Sequence, residues 1–166
     1  MIERIKDRPR AAELLADVFD FDIARLEPVE PVRLASGVEL RPVAGDASGG
    51  TFFDCGGPVS YASSEGSAGV LAADLTGLLE LIVGIPTWHD VVGDAPDLLA
   101  MRAAFDSSYA ELKVEFEPEI ESYRAEVAGA LGLAEVGVDE LLVRLRASLS
   151  LDFVLLNAEG DAFDRL

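Results

Sequence analysis

Short apolar runs separated by glycine-rich turns fill the stretch from Leu40 to Ala73, and the chain then passes directly into a strongly apolar helical segment. Thr51–Cys55 and Pro58–Tyr61 predict two strands around Gly56-Gly57, with Phe52 and Phe53 on opposite faces of the first. Val32–Leu34 and Val38–Val43 flank Ser36-Gly37 and predict a hairpin. Its second strand carries Pro42, which places that end at an edge or a bulge. Gly69–Ala73 is a short apolar strand or the approach to a helix. Asp74 reads as the N-cap of Leu75–Val83, whose Leu75, Leu78, Leu79, Ile82 and Val83 form the buried side before Gly84 and Pro86 end it. Gly77 weakens this helix by about 1 kcal/mol relative to alanine, which predicts close backbone packing there.

On either side of this stretch the pattern is helical. Leu14, Leu15, Val18 and Phe19 make one apolar stripe over Ala11–Phe19, and Asp22–Leu26 predicts a second short helix ended by Pro28. Asp94-Ala95-Pro96 opens a helix running to about Phe105, Glu117-Pro118 a second ending at Gly132, and Val138–Leu149 a third. Asp139 and Glu140 near the start of the third, with Arg144 and Arg146 near its end, suit the helix dipole. Phe153–Leu156 reads as a late strand before a turn at Glu159-Gly160-Asp161. The predicted class is α+β. A small antiparallel-rich sheet over about residues 32–73, which 153–156 would rejoin, packs against helices, and the C-terminal half is helical. The whole is expected to be one domain, 1–166, with 94–150 as a helical extension.

Half of the residues are hydrophobic, which argues against intrinsic disorder and for a sizeable core. The charged N-terminal stretch leaves no room for a signal peptide, and no window approaches the roughly 18 apolar residues of a membrane span. Cys55 is the only cysteine, so no internal disulfide forms, and a reducing, cytoplasmic location is expected. Acids outnumber bases 31 to 13, for a formal charge of −18. That field repels nucleic-acid backbones and steers basic partners. It also serves simply to keep a protein dispersed.

Candidate chemistry is sparse. His89 is the only histidine, which excludes a multi-histidine zinc site. Nothing local activates Cys55, so a Cys55–His89 nucleophile and base is disfavoured against a small buried cysteine on a strand. The loop Gly45-Asp46-Ala47-Ser48-Gly49-Gly50 lacks the lysine and the strand-to-helix setting of a phosphate loop and reads as a turn. Asp46 and Asp54 do not match calcium-loop spacing. No spacing marks a pair of catalytic carboxylates, and neither catalytic residues, cofactor nor metal is expected. Trp88 reads either as a plug at the base of the core or as an interface anchor. Asp106 to Glu126 carries seven acids, including Glu115, Glu117, Glu119 and Glu121, interleaved with Tyr109, Phe116 and Tyr123. The mix suits an acidic dock for a basic protein, and equally an ordinary solvated helix face. Glu115, Glu117, Glu119, Glu121 and Tyr123, with Trp88, are the expected partner-binding residues.

The segments AGDASGGTFFDC and PVSYASSEGSAGVLAADLTGLLELIVGIPTWHDVV resemble the later part of a SUKH-superfamily domain, the Smi/Knr-type group. There a glycine-containing strand entry with an aromatic is followed by a strand, a loop and a helix, and Leu75-Thr76-Gly77-Leu78-Leu79 stands where that helix begins. The closing DFVLLNAEGDAFDRL resembles the ends of bacterial relatives. The chain departs from the family in its N-terminal turn, which Pro28–Gly37 supplies only loosely, and in the helices of 94–150. The resemblance implies an α+β protein without catalysis that binds other proteins. Bacterial members are commonly immunity proteins that neutralise toxins, often nucleases or deaminases, of which the nucleases tend to be basic. A small-molecule-sensing domain with a pocket between sheet and helices is the competing expectation.

Overall fold

The glycine-separated apolar runs form a five-stranded sheet in the computed structural model, which describes residues 1–28, 30–116 and 119–166. Strands β2 (Arg41–Gly45), β3 (Thr51–Asp54), β4 (Val59–Ala62) and β5 (Ser67–Ala72) follow one another as an antiparallel meander. Each reversal falls on a glycine-bearing turn, with Gly56, Gly57 and Gly66 at positive φ. Strand β2 is an edge strand and its register shifts between Pro42 and Ala44, where proline has no N–H to donate. Strand alternation separates the two phenylalanines: Phe52 enters the main core, and Phe53 a smaller cluster with Leu34, Ala62, Ala68 and Leu155.

Three expectations are corrected. Val32–Leu34 and Val38–Val43 do not form a hairpin. Gly37 does turn the chain, but β1 (Arg33–Leu34) pairs with β6 (Leu155–Leu156) in a separate two-stranded antiparallel sheet. Pairing there buries Leu34 and Leu155 against Phe53, a contact that a local hairpin would not give. Residues 153–156 therefore do not rejoin the main sheet; the chain returns to it later, through β7 (Asp164–Arg165), which lies parallel to β5. Nor is Asp22–Leu26 a helix. Asp22 exchanges backbone hydrogen bonds with Gly45 at 2.8 and 3.0 Å, and its carboxylate accepts from the Ala24 N–H at 2.8 Å, so the side chain stabilises a turn.

Helices α1 (Ile2–Lys6), α2 (Pro9–Asp17), α3 (Leu75–Gly84), α4 (Trp88–Val92), α5 (Leu98–Glu115), α6 (Glu119–Leu131) and α7 (Val138–Leu149) complete the fold. The expected cap of α3 forms, with the Asp74 carboxylate accepting from the Gly77 N–H at 2.8 Å. Close packing at Gly77 does not: a Cβ there would meet only ordinary contacts at 3.7 Å. The tight approach in α3 is at Gly84, where a Cβ would fall 2.3 Å from Leu141 Cδ1. Helix α5 runs well past Phe105, because Met101, Phe105 and Tyr109 recur at one-turn spacing and are all buried. The Glu117-Pro118 helix start lies outside the described residues, and α6 is described from Glu119. Residues from α5, α6 and α7 share the main core with Phe52, Tyr61 and Leu71 of the sheet, so the 94–150 helices are packed onto it.

Candidate functional site

Of the expected partner-binding residues, Glu115 and Glu119 lie where α5 gives way to α6. Glu111 and Glu115 on α5 and Glu119 at the start of α6 are exposed, and no lysine or arginine of the described residues forms an ion pair with them. Val114, on the last turn of α5, is 78% exposed. Glu117 lies outside the described residues. Charge without compensation and an exposed apolar side chain thus share one helix end.

Glu121 has a different environment. Its carboxylate accepts from the Tyr109 hydroxyl at 2.8 Å and from Arg124 at 3.0 Å, with Lys113 Nζ 3.5 Å away. Partial burial pushes this carboxyl up, but the Tyr109 hydroxyl, Arg124 and Lys113 outweigh it and hold it below the usual glutamate range. Arg124 in turn donates to the Val83 carbonyl at 2.8 Å and the Gly84 carbonyl at 3.3 Å, capping the end of α3. Glu121 therefore braces α5, α6 and α3 against one another.

Tyr123 is half-buried, with the Arg10 guanidinium 5.8 Å from its ring centre. Arg10 also pairs with Glu13 at 2.7 Å and Glu126 at 3.6 Å, so Tyr123 belongs to the seam between α2 and α6. Trp88 is fully buried. Its ring lies 5.0 Å from Tyr61 and 6.0 Å from Phe52, and it stacks on His89 at 3.6 Å. It is a core plug, and a partner has no access to it. Of the expected residues described, Glu115 and Glu119 are exposed with no ion-pair partner among the described residues, and Glu111 and Val114 lie exposed on the same helix end. Glu111 is one of the seven acids of the 106–126 stretch, whereas Val114 has no signal in a pattern whose predicted helix stops near Phe105.

Two open grooves flank Glu80 of α3. One, of about 500 Å³, runs along α6 over Ala125, Ala128 and Gly129, with Glu121, Arg124 and Glu135 at its rim. The other, of about 450 Å³, lies between the end of β5, α3 and α7, lined by Ala72, Thr76, Gly77, Leu145 and Ser148. Arg144 donates to Glu80 at 3.0 Å and closes off the space between them. Cys55 is in contact with Ser60 at 3.3 Å, and His89 with Asp46 at 4.0 Å, so the two belong to different surroundings. Burial pushes the Cys55 thiol up, away from the reactive thiolate. No helix among the described residues is long and apolar enough to cross a membrane. Set against protein-family models, curated proteins and solved structures, the chain shows no match.

Proposed function

We propose that the chain is a non-enzymatic, cytoplasmic interaction protein that binds a basic protein, in the manner of an immunity protein covering a toxin's cleft. The observation that carries this reading is the junction of α5 and α6, where Glu111, Glu115 and Glu119 are exposed without a cation partner among the described residues beside the exposed Val114. Charges of one sign speed the encounter with an opposite partner, and apolar area slows its release. The −18 formal charge extends that field over the whole molecule and works against nucleic-acid phosphates. The resemblance of residues 40–92 to SUKH domains supports the same role.

Capture by the immobilised chain from extracts of its native host, at about 50 mM and about 500 mM salt, tests this. A basic protein is expected to be retained at low salt and released at high salt. The E115Q/E119Q variant is expected to retain about tenfold less of it. An extract that yields no partner, or a partner indifferent to both salt and substitution, contradicts the proposal.

A second reading, a small-molecule-sensing domain, is favoured by the groove between β5, α3 and α7. Its size falls within the range of ligand pockets, about 300–1,000 Å³. A metabolite that raises the melting temperature of the wild-type chain, and not of a variant with A147W filling the groove, would support it. Equal shifts in both proteins would rule the groove out.

A further inference from the structure

Three distant segments bring Asp20, Asp46 and His89 together. Asp20 follows α2, Asp46 opens the loop between β2 and β3, and His89 lies on α4. One ligand atom from each lies within 4.8 Å of the others. His89 Nε2 is 4.0 Å from Asp46 Oδ2.

The one side chain among the described residues placed to ion-pair with Asp46 is His89, and it does so only when protonated. The Asp46 side chain is fully buried, and its carboxylate accepts only from neutral donors: the Tyr61 hydroxyl, the Ser48 hydroxyl at 2.8 Å and the Gly50 N–H at 2.7 Å. Asp20 accepts from the Ala47 N–H at 2.7 Å. Among the described residues no lysine or arginine pairs with either carboxylate. The nearest guanidinium, Arg25, donates to the Asp46 backbone carbonyl at 3.1 Å and pairs with Asp22 at 3.2 Å. Asp90 adds a further acid beside His89. Burying a carboxylate next to a second one is costly unless a cation is present.

We propose that Asp20, Asp46 and His89 bind one divalent transition-metal ion of the zinc class, tying the loop after α2 and the β2–β3 loop to α4. The imidazole nitrogen selects against calcium and magnesium, which prefer all-oxygen sites, and suits zinc or nickel better than manganese. The donors around Asp46 form the hydrogen-bonded outer layer that ligating carboxylates require. Stacking on Trp88 at 3.6 Å and the edge of Tyr61 at 5.3 Å hold the imidazole ring in place. The His89 side chain is 38% exposed, leaving the ion a route in and a position open to water.

The test is a titration of zinc, then manganese, nickel and magnesium, into the untagged, chelator-treated full chain. Saturable binding of one zinc ion per chain is expected, with a higher melting temperature and much weaker response to magnesium. H89F keeps a ring on Trp88, and D20N keeps the side-chain shape; each is expected to weaken zinc binding about 10–100-fold. Because His89 is the only histidine, its ring proton resonances report the site in the wild-type chain whatever the variants do to folding. Zinc should shift them at one equivalent. No saturable binding, unchanged histidine resonances, or equal binding by a folded H89F variant would overturn the proposal.

Discussion

Substitution of Trp88 by alanine should lower the stability of the chain by about 3–5 kcal/mol, the range found for large aromatic truncations in cores. For a chain of this size that corresponds to about 6–20 °C in melting temperature. The indole is fully buried, meets Tyr61 edge-on at 5.0 Å and Phe52 at 6.0 Å, and stacks on His89. Its loss leaves a void that these rings, themselves held by neighbours such as Phe21, fill poorly. The indole N–H is the one buried side-chain polar atom without a hydrogen-bond partner among the described residues. Trp88→Phe removes that unpaired donor together with some packing, so its cost should be smaller, about 1–2 kcal/mol. Thermal unfolding of the two variants checks both figures. Phenylalanine at this position should leave partner binding unchanged, since the residue never reaches the surface. Costs that come out equal would show that packing is not the source of the effect.

Gly50→Ala should cost about 3 kcal/mol, or about 6–12 °C. An added Cβ would fall 2.1 Å from the Tyr61 hydroxyl and 2.4 Å from Cζ of its ring. The ring is held between Phe52 and Trp88, so it has no free direction in which to move. Displacing it also breaks the hydrogen bond from Tyr61 to the buried Asp46. Gly77→Ala is the matched comparison. Its Cβ meets nothing closer than 3.7 Å inside a helix, and the change should stabilise by about 0.5–1 kcal/mol. Parallel melting curves separate the two cases, and a neutral Gly50→Ala would show that Tyr61 is not fixed as described.

The parts of the fold legible in the sequence are those written locally. Alternation across Phe52 and Phe53, glycines at the reversals and the Asp74 cap lead directly to β3, β4 and α3. Val138–Leu149 forms α7 with the bounds its pattern predicts. What escaped depends on distant partners. Strands are predicted over Val32–Leu34 and Phe153–Leu156, but not that β1 and β6 pair with each other, which follows from Leu34 and Leu155 closing over Phe53. Strand β7 is likewise defined only by its pairing with β5. Helix α5 extends past the predicted end near Phe105 because Ser108 donates to Thr87 at 2.7 Å and the buried stripe continues to Tyr109.

The site divides in the same way. The acidic excess is visible in composition, and Glu115 and Glu119 follow from it. That Glu121 is committed to Tyr109 and Arg124 is a tertiary fact with no local signature. The convergence of Asp46 and His89 is of the same kind: the loop around Asp46 reads as a plain turn until Tyr61 and α4 are placed against it.

The proposed role as a binder of a basic protein is tested most directly by the affinity for any captured protein across a salt series. Binding through exposed, uncompensated glutamates predicts a dissociation constant that rises about tenfold or more between about 50 and 200 mM salt. The slope should become shallower in E115Q/E119Q, with the partner recovered chemically unaltered. An affinity flat across the series, or a partner that emerges covalently changed, would contradict the account.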